Sequence, residues 1–204
     1  MTNSGEHPLT PDEALDRLMA GNQAYVDESI PPHDYSAARA AALRDHEPIA
    51  GVLGCGDARV AAELIFSRDP GDLFMVRVAG NFLSDYGLAS LEYCVEILRV
   101  PLLMVLGHTS CGAVTSALQV VRDRTVLPGR LPVLIDALEP SVLRALAFHP
   151  GDALNAAIEE NVHRQVQRLR TISPLLNQAQ EAGRLRVVGA VYDMATGRVN
   201  LIDQ

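Results

Sequence analysis

The chain has 204 residues, 48% of them apolar, with 17 Lys and Arg against 25 Asp and Glu for a formal net charge of −8. That length suits one domain with a sizeable core, the apolar share excludes a disordered chain, and the acidic balance offers no basic footprint for nucleic acid. No apolar run approaches the roughly 18 residues of a membrane span, and the N-terminal "MTNSGEHPLTPDEA" lacks the basic start and apolar stretch of a secretory signal, so a cytoplasmic protein with no membrane and no nucleic acid as partner is expected.

"LTPDEALDRLMAGNQAYV" opens with a helix signature. Thr10 can cap, Pro11 suits the first turn, and Glu13 completes a T-x-x-E capping box. Leu15, Leu18, Met19, Tyr25 and Val26 keep helical spacing, with Asn22 a polar interruption of the stripe. "ESIPPHDY" then breaks the helix, and an Ala-rich helix over "SAARAAALRDH" is expected next.

A repeating alternation follows. The apolar run at 48–54 is of strand length and precedes the helix-compatible "VAAELIFSR". A strand over 72–80 leads to an amphipathic helix over 86–100, and "LLMVLGH" is a third strand that runs into the helix "SCGAVTSALQVVRDR". Long helical segments are expected over 131–147 and 152–181, then two strands, "RLRVVGAVYD" and "RVNLID", flanking the turn "MATG". Apolar strand runs without alternation, interleaved with helices, predict a parallel sheet covered on both faces. The expected fold is α/β: a central, mainly parallel sheet flanked by helices, with an N-terminal helical arm and a C-terminal α/β extension. One domain spans 1–204, divided into the arm (10–34), an α/β core (48–125) and a helical and C-terminal strand region (126–204).

In such sheets ligands bind beyond the carboxyl ends of strands. Cys55 and His108 both fall at such ends, 53 residues apart, and Cys111 enters the helix after His108. An odd number of cysteines without a leader does not suggest a disulfide framework. Two sulfurs and an imidazole suit zinc, and three protein ligands leave a fourth position for water, as in catalytic sites. The helix N-terminus would help hold Cys111 as thiolate. H-x-x-C alone is equally compatible with a packed Cys beside a hydrogen-bonded His, and Cys-His nucleophilic catalysis leaves Cys55 unexplained.

"CGDAR" shifts that balance. With Cys55-Gly-Asp57-Ala-Arg59 at the end of one strand and His108-Thr-Ser-Cys111-Gly112 at the end of a later one, the chain resembles the β-class carbonic anhydrases, most of all their actinobacterial-type members. The likeness extends through "LMAGNQAYV", "ELIFSRDPGDLFMVRVAGN", "SLEY" and "VLGHTSCGAV", covering most of 15–120. The resemblance implies one Zn²⁺ per chain on Cys55, His108 and Cys111, with Asp57 and Arg59 as a dyad beside it. The implied reaction is the reversible hydration of CO2 to bicarbonate and a proton by zinc-bound hydroxide, a lyase activity. Zinc lowers the pKa of its water to about 7; Asp57 would orient the hydroxide and Arg59 hold Asp57 ionised through a bidentate pair. Without adjoining metal ligands, Asp57 and Arg59 would read as an ordinary ion pair.

By the same resemblance, Phe74 and Tyr93 line an apolar CO2 pocket, Tyr93 across a dimer interface; core packing is the alternative for both. Ala79 stands where many relatives have valine. His46 stands where many have a hydrogen-bonding glutamine, and it could donate to substrate, shuttle protons or lie on the surface. Ala58 replaces the common serine. Cys94 reads as a buried apolar residue, and His7, His33, His149 and His163 as surface or capping residues. Some relatives close the site by swinging the dyad aspartate onto zinc, which Asp57 could do. The bicarbonate pocket that accompanies this in some members uses a tryptophan, absent here, so Arg77 reads as a structural or dyad-supporting residue.

Two other functions fit the same motifs: hydrolysis of COS or CS2, and a non-catalytic zinc or bicarbonate-sensing protein. A Rossmann oxidoreductase does not, because no G-x-G-x-x-G follows the first strand. The resemblance further implies a homodimer, or tetramers built from it, with the N-terminal helix across the partner; such an arm can equally fold back on its own subunit.

Overall fold

Strands β1 (Ala50–Cys55) and β3 (Leu102–His108) are buried at every position, as continuous apolar runs require of strands covered on both faces. The structure, a computed structural model, describes residues 8–29 and 47–204. Strands β2 (Leu73–Val78), β4 (Arg186–Tyr192) and β5 (Val199–Asp203) complete a sheet of order β2-β1-β3-β4-β5. The first four strands are parallel and β5 is antiparallel to β4, as expected of a mainly parallel sheet. The Ala-rich helix expected over 36–46 lies outside the described residues, as do His7, His33 and His46.

Side chains alternate between the faces of a strand. Val52, Met104 and Val188 share one face with Ala14 and Leu18 of α1 (Pro11–Val26) and with Phe66, which ends the short α2 (Ala62–Ile65). Leu53, Val105 and Val187 point the other way, into a larger core. That core is closed by α3 (Asp85–Glu96), α4 (Gly112–Asp123), α5 (Leu131–Phe148), α6 (Ala153–Thr171) and α7 (Pro174–Glu181). The helical stretch expected over 152–181 is therefore two helices. Ser173 caps the second, and Pro174 takes its first position, where a missing N–H leaves nothing unpaired.

Two local features bring α6 unusually near the sheet. A Cβ on Gly107 or on Gly189 would lie 2.7 Å from a methyl of Val162, so only glycine at those positions admits the helix. Cys94 packs over Gly51 in the same core, where a Cβ would meet its sulfur at 2.9 Å. Burial pushes this thiol far above its ordinary pKa, which agrees with an apolar role.

Helix α1 starts as the sequence predicts, with the reciprocal Thr10–Glu13 capping box. Its polar interruption has a different meaning from the one periodicity suggests. Asn22 is buried and joins α1 to two distant segments: its amide donates to the carbonyls of Ile65 and Gly197, and its oxygen accepts from the Val199 N–H. Arg186 also pairs with Asp12 at 2.6 Å, so α1 folds back on its own sheet. Replacing Asn22 with alanine strands three backbone groups, two of them buried, and is expected to cost about 2–4 kcal/mol. Thermal unfolding followed by circular dichroism should show a Tm lower by roughly 5–15 °C; a shift of under 2 °C would contradict this role.

Candidate metal centre

Because β1 and β3 are adjacent and parallel, their carboxyl ends lie side by side, and the residues that end them are Cys55 and His108. The chain then turns through Ser110, at a φ of 57°, and delivers Cys111 to the N-cap position of α4. The two sulfurs are 4.0 Å apart. The donor atoms of Cys55, His108 and Cys111 all lie within 4.8 Å of one another, and all three residues are buried.

The histidine shows what this cluster suits. Its Nδ1 lies 2.9 Å from the Thr109 carbonyl, which can only accept, so the proton sits on Nδ1. Nε2 is then a lone-pair donor, buried and without a hydrogen-bond partner among the described residues. A backbone carbonyl that fixes one ring nitrogen while the other is left bare is the arrangement of a metal-bound imidazole. Two sulfurs and one such nitrogen, with no fourth donor in the cluster among the described residues, fit a zinc ion that keeps an open position.

The two sulfurs are close enough to perturb one another directly. The neighbouring Cys111 sulfur holds the Cys55 thiol well below its ordinary pKa, helped by the Gly80 N–H. Cys111 is pushed up by that thiolate and by burial, against the opposing amides of Val114 and Ala113 at the start of α4. Burial opposes protonation of His108, but the Cys55 thiolate outweighs it and the net shift is upward. Zinc is bound by thiolates, so its uptake at neutral pH displaces cysteine protons. Calorimetric zinc titrations in buffers of different ionisation enthalpy should report about one or more protons released per ion; none released would contradict the cluster as the binding site.

Asp57 and Arg59 lie two and four residues past Cys55. The Arg59 N–H and Nε donate to Asp57 Oδ1 at 3.0 and 2.9 Å, and Nη2 donates to Oδ2 at 2.6 Å. The Arg59 side chain holds the carboxyl well below the ordinary carboxylate range. Asp57 thus stands beside the cluster rather than in it. Arg77 acts on the backbone of the same loop: Nε donates to the Cys55 carbonyl at 2.9 Å and Nη2 to the Asp57 carbonyl at 2.7 Å.

Phe74 on β2 and Tyr93 on α3 meet with ring centroids 6.3 Å apart. Phe74 is half-buried and Tyr93 is 49% exposed, so Tyr93 is not a core residue of the single chain. Ala79 is exposed beside the Gly56 backbone. Gly80, which the sequence reading passed over, donates its N–H to Cys55 Sγ at 3.3 Å. No side chain signals it, and its φ of 81° is the reason glycine stands there.

An α/β sheet with two Cys and one His at the ends of neighbouring parallel strands, and an Asp–Arg pair on the same loop, fits a zinc-binding protein. A family model described as carbonic anhydrase matches residues 50–199. Carbonic anhydrase 2 of Mycobacterium tuberculosis strain H37Rv is 37% identical over 192 residues, covering 94% of this chain and 89% of the relative. The carbonic anhydrase of Mycolicibacterium smegmatis is 37% identical over 194 residues, covering 94% and 93%. Among solved structures, the Coccomyxa β-carbonic anhydrase in complex with acetazolamide is 30% identical, with a TM-score of 0.72 over 92% of this chain and 86% of that one. The β-carbonic anhydrase CcaA is 25% identical, with a TM-score of 0.71 over 93% and 99%. The chain belongs to the β-carbonic anhydrase family.

Proposed function

We propose that the protein is a carbonic anhydrase that reversibly hydrates CO2 to bicarbonate and a proton, with one Zn²⁺ per chain on Cys55, His108 and Cys111. The observation that carries this reading is the convergence of those three donors beside an Asp57–Arg59 pair, in a chain of this family. Zinc, when bound, supplies the Lewis acidity that makes water a nucleophile near neutral pH.

The protein's own groups do the rest. Arg59 occupies one edge of the Asp57 carboxylate and keeps it ionised, so its remaining lone pairs can accept a hydrogen bond from the attacking oxygen. That contact turns an oxygen lone pair towards the CO2 carbon. Arg77 holds the loop that carries both groups, so the orientation is set before substrate arrives. Phe74 and Tyr93 offer an apolar wall suited to uncharged CO2, with Ala79 at its margin. His46, outside the described residues, keeps the three roles read from the sequence: substrate donor, proton shuttle or surface residue. No observation favours COS or CS2 hydrolysis, and an Asp57 engaged by Arg59 is not the fourth ligand that a structural zinc site requires. Exchange of ¹⁸O between labelled CO2 and water tests the assignment. Catalysed exchange in zinc-loaded protein that vanishes on chelation is expected, and exchange indifferent to zinc would refute it.

The same reading includes self-assembly as a homodimer, from which a tetramer can be built. Support comes from the open edge strand β2, whose middle residues are only half-buried, and from Tyr86, Tyr93 and Ile97 exposed along α3; such edges are covered in native assemblies. A single domain is supported by one core that contains both Leu53 and Val191. A cytoplasmic location is supported by three free cysteines; no helix among the described residues is long and apolar enough to cross a membrane.

A further inference from the structure

Two amides on α6, Asn161 and Gln165, are 1% and 0% exposed, and neither belongs to the metal cluster or the dyad. Burying an amide is unfavourable unless each polar atom is paired. Here each is paired, and the partners are not random. Asn161 Nδ2 donates to the Gly80 carbonyl at 2.8 Å. Gln165 Nε2 donates to Asn161 Oδ1 at 2.9 Å, while Gln165 Oε1 accepts from the Leu83 N–H at 3.1 Å. Arg168 completes the chain, donating from Nη1 to the Leu83 carbonyl at 2.9 Å and to Gln165 Oε1 at 3.3 Å.

The segment so gripped, 80–83, follows β2 and has two consecutive residues at positive φ: Gly80 at 81° and Asn81 at 39°. A non-glycine residue such as Asn81 holds this conformation only where its surroundings over-determine it. Leu138 and Ala113 press on Gly80 from α5 and α4, since a Cβ there would meet them at 2.9 and 3.2 Å. What the grip secures is the direction of the Gly80 N–H, which donates to Cys55 Sγ.

We propose that Asn161 and Gln165 are positioning residues for the metal centre: by fixing the 80–83 segment at the Gly80 carbonyl and the Leu83 N–H, they aim the Gly80 N–H at the Cys55 sulfur. This hydrogen bond draws electron density from the thiolate and fixes its lone pairs, as outer-shell partners of metal ligands do. The assignment rests on Cys55 being a metal ligand. Helix α6 reaches the segment because Gly107 and Gly189 admit it, so the glycines of two strands and the amides of one helix act on a ligand carried by a third strand.

The test compares Asn161→Leu, Gln165→Leu and Gln165→Glu, the last keeping the acceptor for Leu83 N–H. Zinc affinity is read by competition with a chromogenic chelator, and the thiolate by the sulfur-to-metal charge-transfer band of the cobalt-substituted protein. Both leucine variants are expected to bind zinc about 10–100-fold more weakly and to shift the cobalt band, with Gln165→Glu falling between them and wild type, because it keeps the acceptor for Leu83 N–H but loses the donor to Asn161. Asn22→Ala, destabilised at a distance, serves as control and should leave affinity and band unchanged. If one leucine variant does not fold, the other decides. Affinities within twofold of wild type and an unmoved band in the folded leucine variants would overturn the proposal, as would a loss equal to that of Asn22→Ala. A wild-type protein without any cobalt–thiolate band would instead remove the metal centre, and this proposal with it.

Discussion

Replacing Cys55 with serine is expected to empty the metal site and abolish CO2 hydration while leaving the fold intact. Serine is nearly isosteric and can accept the same Gly80 N–H that Cys55 accepts, so the buried donor is not stranded. Its hydroxyl, however, does not ionise near neutral pH, and zinc loses one of two thiolates. Structural zinc sites of zinc-finger peptides hold the ion with about 10–16 kcal/mol, which sets the scale. Loss of one of three protein donors should remove roughly 3–5 kcal/mol of that, about 1000-fold in affinity. Elemental analysis after dialysis should find about one zinc per chain in wild type and close to none in the variant. Circular dichroism of the two metal-free proteins should overlay. Full zinc occupancy and wild-type turnover in Cys55→Ser would contradict the ligand set.

The second large effect separates chemistry from metal binding. Asp57→Asn is expected to keep zinc at wild-type stoichiometry and to lower kcat/KM about 100- to 10,000-fold, the span of a positioned proton-accepting group. Asparagine matches the shape but carries no charge, turns a donor towards Arg59, and accepts more weakly from the attacking oxygen. The pH dependence gives an independent check. Arg59 depresses the Asp57 pKa, so the carboxylate is ionised throughout the neutral range. Its contribution is present above the ordinary carboxylate range and is lost only as pH falls through the depressed value. A titration between about pH 6 and 9 is therefore not that of Asp57; zinc, when bound, would supply a water that titrates there. The residual activity of Asp57→Asn should still rise with pH over that range. An unchanged kcat/KM, or a variant that no longer binds zinc, would show that the dyad does not have this role.

How far the sequence led depends on the kind of signal. The convergence of Cys55, His108 and Cys111 was legible because each stands at or just past the end of a buried apolar run, and β1 and β3, read as strands, proved to be neighbours. Asp57 and Arg59 were legible by adjacency to Cys55. The sheet was legible because strands covered on both faces leave no alternation; the extent of α2 was not, since "VAAELIFSR" suits a helix until Ser67 takes a φ of 49°. His163, read as a surface or capping residue, is half-exposed and pairs with Asp203 at 3.0 Å, a tie to β5 invisible from spacing. Asn22, Asn161 and Gln165 were least legible. Polar residues on a helix ordinarily face water, and nothing local distinguishes an amide whose partners are backbone groups 43 to 177 residues away. Gly80 acts through its N–H alone, which every residue but proline has.

The most direct test of the central claim is stopped-flow CO2 hydration by zinc-verified protein across about pH 6.5–9, the range in which zinc-bound water titrates. The account predicts catalysis that rises with pH and is lost when zinc is removed. Absence of catalysis throughout that range in protein carrying one zinc per chain would contradict it.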